Sequence, residues 1–280
     1  MLACQDSETE RRRRELSAYL TTHVDDGTQL VCVSAARCRA SMRPGELLVE
    51  GQLSHIGPMF DLVDDGRPLR ILIASKQVGG SLADGGGRGH EHVTIEERRA
   101  QVDSAKVGTR PHPRTNHMVG TELALKVLAG LEADADPRLT FIDGRRAHVF
   151  DCMALINATL CSRASGDASG QGSDRMFELC RPHLAESIRI LQPTVVVAQG
   201  WTKQSAAGSV MSVASTVARA LGVRTPSSDP ALNVVPKEWG PVALVTAYHP
   251  ARHWFSTSSP YWQRLEPVLR EARSVALGRL

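Results

Sequence analysis

Long apolar runs are missing from this chain of 280 residues, and no stretch approaches the roughly 20 apolar residues that a membrane span needs. Arginines occupy Arg11 to Arg14, where a secretory signal peptide would have its apolar segment, so we expect no such signal. Hydrophobic residues make up 42% of the chain and charged residues 22%, which is typical of soluble globular proteins. We therefore expect a cytoplasmic protein that makes no membrane contact.

Lysine is scarce, so that nearly all the basic residues are arginines. The lysines are Lys76, Lys106, Lys126, Lys203 and Lys237. A GC-rich genome is one explanation of this bias, and the suitability of arginine for phosphate oxygens is another. The formal net charge of only +3 does not by itself indicate a nucleic-acid partner.

Internal repeats, a clear linker and a coiled-coil pattern are also absent, and we expect one domain over residues 1–280 and a monomer. Hydrophobic periodicity predicts strands and helices in alternation. The predicted strands are 69–74, 147–156, 194–199 and 242–248, and the predicted helices are 8–24, 94–106, 120–133, 173–191, 206–221 and 260–276. This alternation predicts an α/β fold, a three-layer α/β/α arrangement with a central, mainly parallel four-stranded sheet.

Residues 81–118 interrupt this alternation with a long insertion that is rich in Gly, Arg and His. Its histidines are His90, His92, His112 and His117. Structureless loops of such length are usually functional or disordered. The insertion would cover a pocket, contact a bound partner, hold a metal ion or be disordered, and the sequence leaves these alternatives open.

Closely spaced cysteine pairs of the zinc-ribbon type are absent, although the chain has six cysteines. Cys32 and Cys38 are separated by five residues, and Cys161 and Cys180 by eighteen. Structural disulfides are rare in a reducing cytosol, which leaves metal ligation or plain burial. Two pairs from distant segments can close around a metal or a cubane iron–sulfur cluster. Of the other two, Cys152 falls in an apolar strand and Cys4 in the N-terminal segment.

Polar residues follow the predicted strands at the sheet edge where open α/β folds bind ligands. Ser75 begins a glycine turn that contains Lys76, Gln77 and Gly79 and is neither a Walker sequence nor a dinucleotide fingerprint. Asn157 ends the second strand. These positions predict a ligand site, although a plain turn between strand and loop is the alternative interpretation.

The last predicted strand ends in His249-Pro250, and Arg252, His253 and Trp254 follow. An imidazole at His249 can donate a hydrogen bond to an oxygen on which negative charge develops. Arg252 and His253 can contact phosphates, and Trp254 can wedge between or stack on bases. Alternatively, Trp254 packs beneath the C-terminal helix.

Taken together, these motifs resemble the uracil-DNA glycosylase superfamily, in particular its four-cysteine iron–sulfur branch. The resemblance covers most of residues 30–265 and rests on the order of the motifs. They are Cys32/Cys38, Ile71–Gly79, Asn157–Cys161, Cys180-Arg-Pro-His-Leu184 with Cys180 opening a helix, Pro193–Gly200 and His249-Pro250.

The resemblance implies that the chain flips a modified base out of DNA and excises it in base-excision repair. By resemblance, Asn157 would bind the edge of the flipped base, with Ser75 and Gly79 beside it, and His249 would stabilise the leaving base. Cys32, Cys38, Cys161 and Cys180 would hold a [4Fe–4S] cluster that braces the DNA-contacting loops rather than doing redox chemistry.

The chain departs from the family in its glycine turn, where a carboxylate usually positions the attacking water. Lys76 and Gln77 stand there instead, and Asp84 and Glu91 are the nearest acids in the following loop. Gln77 can still orient a water molecule, but loss of a general base slows catalysis by about 10²–10⁴-fold. The first cysteine pair is also wider than usual, and residues 162–179 lack the basic, His-containing insert of the branch that cross-links to DNA, so we expect no cross-linking.

Three functions are therefore compatible with the sequence. The first is a glycosylase that acts on uracil or another modified base, and the second is a DNA-binding module of the same fold that Lys76 leaves inactive or weakly active. The third is an unrelated α/β hydrolase in which the cysteines are simply buried.

Overall fold

The computed structural model describes residues 1–49, 54–75, 95–107, 115–165, 168–171, 173–208, 210–254 and 256–279. In these ranges the helices are α1 (Asp6–His23), α2 (Ala35–Arg39), α3 (Ile95–Val107), α4 (Asn116–Leu128), α5 (Asp174–Leu191), α6 (Lys203–Ala206), α7 (Val213–Ala220), α8 (Pro250–His253) and α9 (Pro260–Ala276). The strands are β1 (Leu2–Cys4), β2 (Leu47–Val49), β3 (His55–Ile56), β4 (Leu62–Asp64), β5 (Arg67–Leu69), β6 (Ile71–Ser75), β7 (Arg138–Thr140), β8 (Arg146–His148), β9 (Met153–Asn157), β10 (Ser162–Ser165), β11 (Ala168–Gln171), β12 (Val195–Gln199), β13 (Ala231–Lys237) and β14 (Gly240–Ala247).

A mixed sheet of six strands, in the order β13-β14-β12-β6-β9-β3, forms the centre of the α/β fold. Neighbouring strands from β14 to β9 are parallel, whereas β13 and β3 pair antiparallel at the two edges. The sequence predicts four strands, and the two edge strands are what it misses. With only two residues, β3 is too short for a periodic signal, and β13 is a half-exposed strand with a proline in it.

Hydrophobic residues of the parallel strands alternate between two cores on opposite faces of the sheet. Ile71 and Ile73 of β6 belong to the core that contains α4 and α9, whereas Leu72 and Ala74 belong to the core that contains α1, α5 and α7. Because both faces are covered, the parallel strands are almost continuously apolar. This burial explains why the sequence predicts them, although the predicted strand 147–156 is divided into β8, a 3-10 turn at Val149–Cys152 and β9.

The predicted helices at 8–24, 173–191 and 260–276 are confirmed as α1, α5 and α9. The predicted helix at 206–221 is instead α6 and α7, because Ser212 caps a new helix start with a capping box. Among the described residues, no helix has the length and apolarity needed to cross a membrane.

Cys180 lies well inside α5 and does not open it, which corrects the sequence-based prediction. The helix begins at Asp174, where the side chain of Ser173 accepts a hydrogen bond from the Met176 N–H. Pro182 lies inside the same helix and does not mark its first turn.

The insertion is only partly covered, since residues 76–94 and 108–114 lie outside the described ranges. The charged helix predicted near 94–106 is present as α3, and α4 begins at Asn116 rather than at the predicted residue 120. The other predicted features of the insertion, including His90, His92 and His112, lie outside the described residues.

The buried Arg12 guanidinium joins α1 both to Asp61, just before β4, and to the end of α5. The Arg12 guanidinium donates to Asp61 Oδ1 over 2.9 Å, to the Ile190 carbonyl over 2.6 Å and to Gln192 Oε1 over 3.1 Å. The side chains of Arg12 and Asp61 are only 4% and 2% exposed. Breaking a buried pair by removing one partner leaves an uncompensated charge, which is strongly destabilising.

We expect Arg12→Met to lower the free energy of unfolding by about 3–5 kcal/mol, because Asp61 keeps a buried charge without its partner. Arg13→Met on the same helix is the matched control. It removes an exposed pair with Glu10 and should change stability by less than about 1 kcal/mol. Urea unfolding followed by circular dichroism measures both, and equal losses would contradict this assignment.

Candidate functional site

Polar side chains lie at the carboxyl ends of three neighbouring parallel strands of the central sheet. Ser75 and Asn157 are direct register partners in β6 and β9. Because Ala74 pairs with Ala198, the next residue of β12, Gln199, lies beside Ser75. All three side chains are buried. In each strand the preceding residue belongs to the core that contains α1, α5 and α7, so these three side chains point to the opposite face of the sheet, which α4 covers.

The Gln199 amide is the centre of a hydrogen-bond network. Its Oε1 accepts from Ser75 Oγ over 2.6 Å and lies 2.8 Å from Nε2 of His117. Its Nε2 donates to Thr121 Oγ1 over 3.0 Å. Ser75 Oγ is also 3.0 Å from His117 Nε2. One amide therefore connects two strands of the sheet to helix α4.

Helix α4 brings His117 and Thr121 to the strand ends. Its start is fixed by Thr115, whose side chain accepts from the Met118 N–H. Thr121 Oγ1 donates to the His117 carbonyl over 2.8 Å, within the same turn of helix. His117 and Thr121 are four residues apart and so lie on one face of the helix.

His249 reaches the same place from the end of β14. It is the N-cap residue of α8, and its ring stacks on that of His117 with centroids 4.9 Å apart and an interplanar angle of 18°. Helix α4 packs closely on α8, because a Cβ on Gly120 would lie only 2.7 Å from Pro250 Cβ. Glycine at this position therefore sets the distance between the two helices that carry the stacked histidines.

Burial lowers the pKa of His117, because its surroundings disfavour the charged imidazolium. The hydrogen bond to Gln199 acts in the opposite direction, and the positive charge of Arg98 on α3 lowers the pKa further. The described network at the strand ends therefore consists of neutral hydroxyl, amide and imidazole groups. Such a set can bind the polar edge of a flat, uncharged ligand through both donors and acceptors.

Three of the predicted site residues, Ser75, Asn157 and His249, are brought to this edge by the structure. Lys76, Gln77 and Gly79 lie outside the described residues. The backbone of Arg252 and His253 forms the end of α8, next to His249 in the chain.

Trp254 corrects the sequence-based prediction, because a residue that stacks on DNA bases must be accessible and Trp254 is 0% exposed. Its Nε1 donates to the Tyr248 carbonyl over 2.7 Å, and its ring stacks on that of Trp262 in α9. It packs beneath the C-terminal helix, as the alternative interpretation states.

Sequence reasoning missed His117, Thr121 and Gln199. A signal exists for Gln199, since it ends an apolar strand just as Ser75 and Asn157 do. No such signal exists for His117 and Thr121, because their contacts with the strand ends span 42 to 82 residues of chain.

A second region of interest contains the cysteines. Cys180 Sγ accepts from the Leu160 N–H over 3.4 Å. Burial raises the pKa of the Cys180 thiol to about 12; the nearby thiols of Cys38 and Cys32 add to this rise, and backbone hydrogen bonds from Leu160 and Cys161 oppose it. Cys180 therefore lies near Cys38 and Cys32 and beside the backbone of Leu160 and Cys161.

Cys32 is also in contact with a histidine. Its Sγ lies 3.4 Å from His183 Nε2, and Nδ1 of that ring lies 2.8 Å from the Tyr19 hydroxyl. The six cysteines are all free thiols, and backbone N–H donors at sulfur are a feature of iron–sulfur ligands, so the donor chemistry fits a cluster. In the described part of the chain, however, no group of three or more His, Cys, Asp or Glu side chains is arranged to hold a metal ion.

Neither a protein-family profile nor a curated protein matches the chain.

We expect Gln199→Leu to lower the free energy of unfolding by about 1–3 kcal/mol, because Ser75, His117 and Thr121 lose a buried partner. It should also lower the pKa of His117 further, since the Gln199 hydrogen bond raises that pKa. Denaturant unfolding and an NMR titration of the imidazole measure the two effects. Gln263→Leu, on an exposed face of α9, is the control, and an unchanged or raised His117 pKa in Gln199→Leu would contradict the network.

Proposed function

We propose that the protein binds DNA, flips a uracil or another modified base out of the helix and hydrolyses its bond to the sugar. The observation that carries this proposal is the convergence of Ser75, Asn157 and Gln199 at the ends of three parallel strands, where His117 contacts Gln199 and the His249 ring stacks on His117. An edge built of neutral donors and acceptors suits the Watson–Crick edge of an uncharged base.

In this proposal the residues at the strand ends have different roles in binding the base and in breaking its bond to the sugar. Asn157 offers the base both a donor and an acceptor, and Ser75 lies beside it, with Gly79 allowing close approach in the turn that follows. His249 donates to the oxygen of the departing base as negative charge builds on it. Arg252 and His253, on the helix that follows His249, contact phosphates. We also propose that the protein has a three-layer α/β/α fold around four central parallel strands.

We also propose that Cys32, Cys38, Cys161 and Cys180 hold a [4Fe–4S] cluster. Support comes from the proximity of Cys180 to Cys32, Cys38 and the backbone of Cys161, and from the backbone N–H groups directed at Cys32 and Cys180. When bound, the cluster would link the N-terminal segment, the chain after β9 and helix α5, and so brace the loops beside the strand ends. His183 would remain a neighbour of Cys32 rather than a ligand.

We expect Asn157→Ala to slow single-turnover base release roughly 5- to 150-fold, because a buried edge of the base loses its hydrogen-bond partner at a loss of about 1–3 kcal/mol. Asn233→Ala in edge strand β13 is the matched control and should leave the rate unchanged. The assay measures release of uracil and other modified bases from single- and double-stranded oligonucleotides.

The same assay separates the competing functions when DNA affinity is measured beside it. Binding that weakens steeply with added salt, without release of any tested base, would identify a DNA-binding module rather than an enzyme. Failure to bind DNA even at low salt would overturn both and favour a hydrolase that acts on small molecules.

We expect protein purified without oxygen to contain iron and to absorb visible light, and Cys32→Ser or Cys161→Ser to lose both. Cys152→Ser is the control, since Cys152 is buried in the other core and lies 3.8 Å from the His148 carbonyl. Iron analysis and absorbance measure the outcome. Iron-free, colourless wild-type protein would contradict the cluster, as would equal loss of iron from all three variants.

A further inference from the structure

The hydrogen-bond donors around Gln199 can be assigned from the chemistry of the groups. The His117 carbonyl can only accept, so the Thr121 hydroxyl must donate to it. That hydroxyl therefore accepts from the amide nitrogen of Gln199, which places Oε1 of Gln199 toward Ser75 and His117. The chain of bonds fixes the orientation of the amide.

The orientation of Gln199 in turn fixes the tautomer of His117. Because Oε1 of the amide only accepts, Nε2 of His117 must carry the hydrogen that joins them over 2.8 Å. The other ring nitrogen, Nδ1, has no hydrogen-bond partner among the residues that the structure describes. In the neutral ring, Nδ1 therefore presents a lone pair.

Several features keep this ring neutral near pH 7. Burial lowers the pKa of His117, and Arg98, which approaches from α3, lowers it further. The remaining described neighbours are the neutral Ser75 and Gln199 on the strands and the titratable ring of His249 at the start of α8. A neutral acceptor adds no positive charge beside the electron-poor sugar that forms when a glycosidic bond breaks.

The segment from Ser75 to Gly80 contains Lys76 and Gln77 and no carboxylate that could accept a proton from a water molecule. We propose that Nδ1 of His117 is the proton acceptor: it accepts a hydrogen bond from the attacking water and then its proton. The water oxygen forms a bond to the C1′ carbon of the sugar, the C1′–N bond breaks, and its electron pair leaves with the base, which His249 stabilises. The proton on His117 then passes to the departing base or to solvent. This inference rests on the proposed glycosylase function.

The central experiment compares single-turnover base release by the wild type, His117→Asn and His117→Asp across pH 5 to 8. We expect His117→Asn to slow the chemical step by about 10²–10⁴-fold, the usual contribution of a general base. His117→Asp restores an acceptor and should recover part of the rate. His23→Asn, an exposed histidine on α1, is the control.

The pH profile distinguishes a proton acceptor from a merely structural residue. The wild-type rate should fall as pH drops through the His117 pKa, below the ordinary histidine value of about 6.5, because protonation removes the lone pair. This acid limb should be absent in His117→Asn and should lie at lower pH in His117→Asp. A limb that all variants share arises from another group and does not report on His117.

A second measurement does not depend on activity. Long-range ¹H–¹⁵N NMR of the imidazole at pH 7 should show hydrogen on Nε2 of His117 and a lone pair on Nδ1. The opposite tautomer, or a charged ring, would overturn the inference even for an active enzyme. So would an active wild type whose rate and acid limb survive in His117→Asn, and in that case the proposed function would stand. Wild-type protein that binds DNA but releases no base would overturn both.

Discussion

The register of the parallel strands is the constraint on which the candidate site depends. Because Ser75 is paired with Asn157 and lies beside Gln199, three polar side chains emerge together where an apolar sheet ends. The Gln199 amide then connects α4 to these strand ends. Its oxygen bonds Ser75 and His117, and its nitrogen bonds Thr121. A slip by one residue would turn each of these side chains to the opposite core.

The sequence predicts the centre of the fold better than its margins. Strands buried on both faces carry a strong apolar signal, and long helices such as α5 and α9 carry a clear period, so β6, β12, α5 and α9 are anticipated. The edges are not, because two-residue β3 has no period and β13 is half exposed. The division of the predicted 206–221 helix depends on the Ser212 capping box, a local detail that apolar periodicity does not register.

Some residues of the candidate site can likewise be predicted from the sequence, and others cannot. Positions at strand ends, such as Asn157 and His249, follow from topology, because parallel strands share one carboxyl edge. His117 does not, since a long insertion separates it from Ser75 and only tertiary packing joins them. The aromatic character of Trp254 is compatible both with stacking on DNA bases and with packing inside the protein. Its contacts with Tyr248 and Trp262 show that it packs inside.

The absence of a side chain at Gly120 affects the positions of both histidines, because it allows α4 to lie close to the start of α8. A Cβ on this residue would lie 2.7 Å from Pro250 Cβ and 3.0 Å from the Trp254 carbonyl oxygen, so any larger residue would push the two helices apart. A change in the spacing of α4 and α8 would therefore alter the stacking of His117 on His249. A single methyl group, added by Gly120→Ala, would therefore disturb both histidines without altering a polar atom.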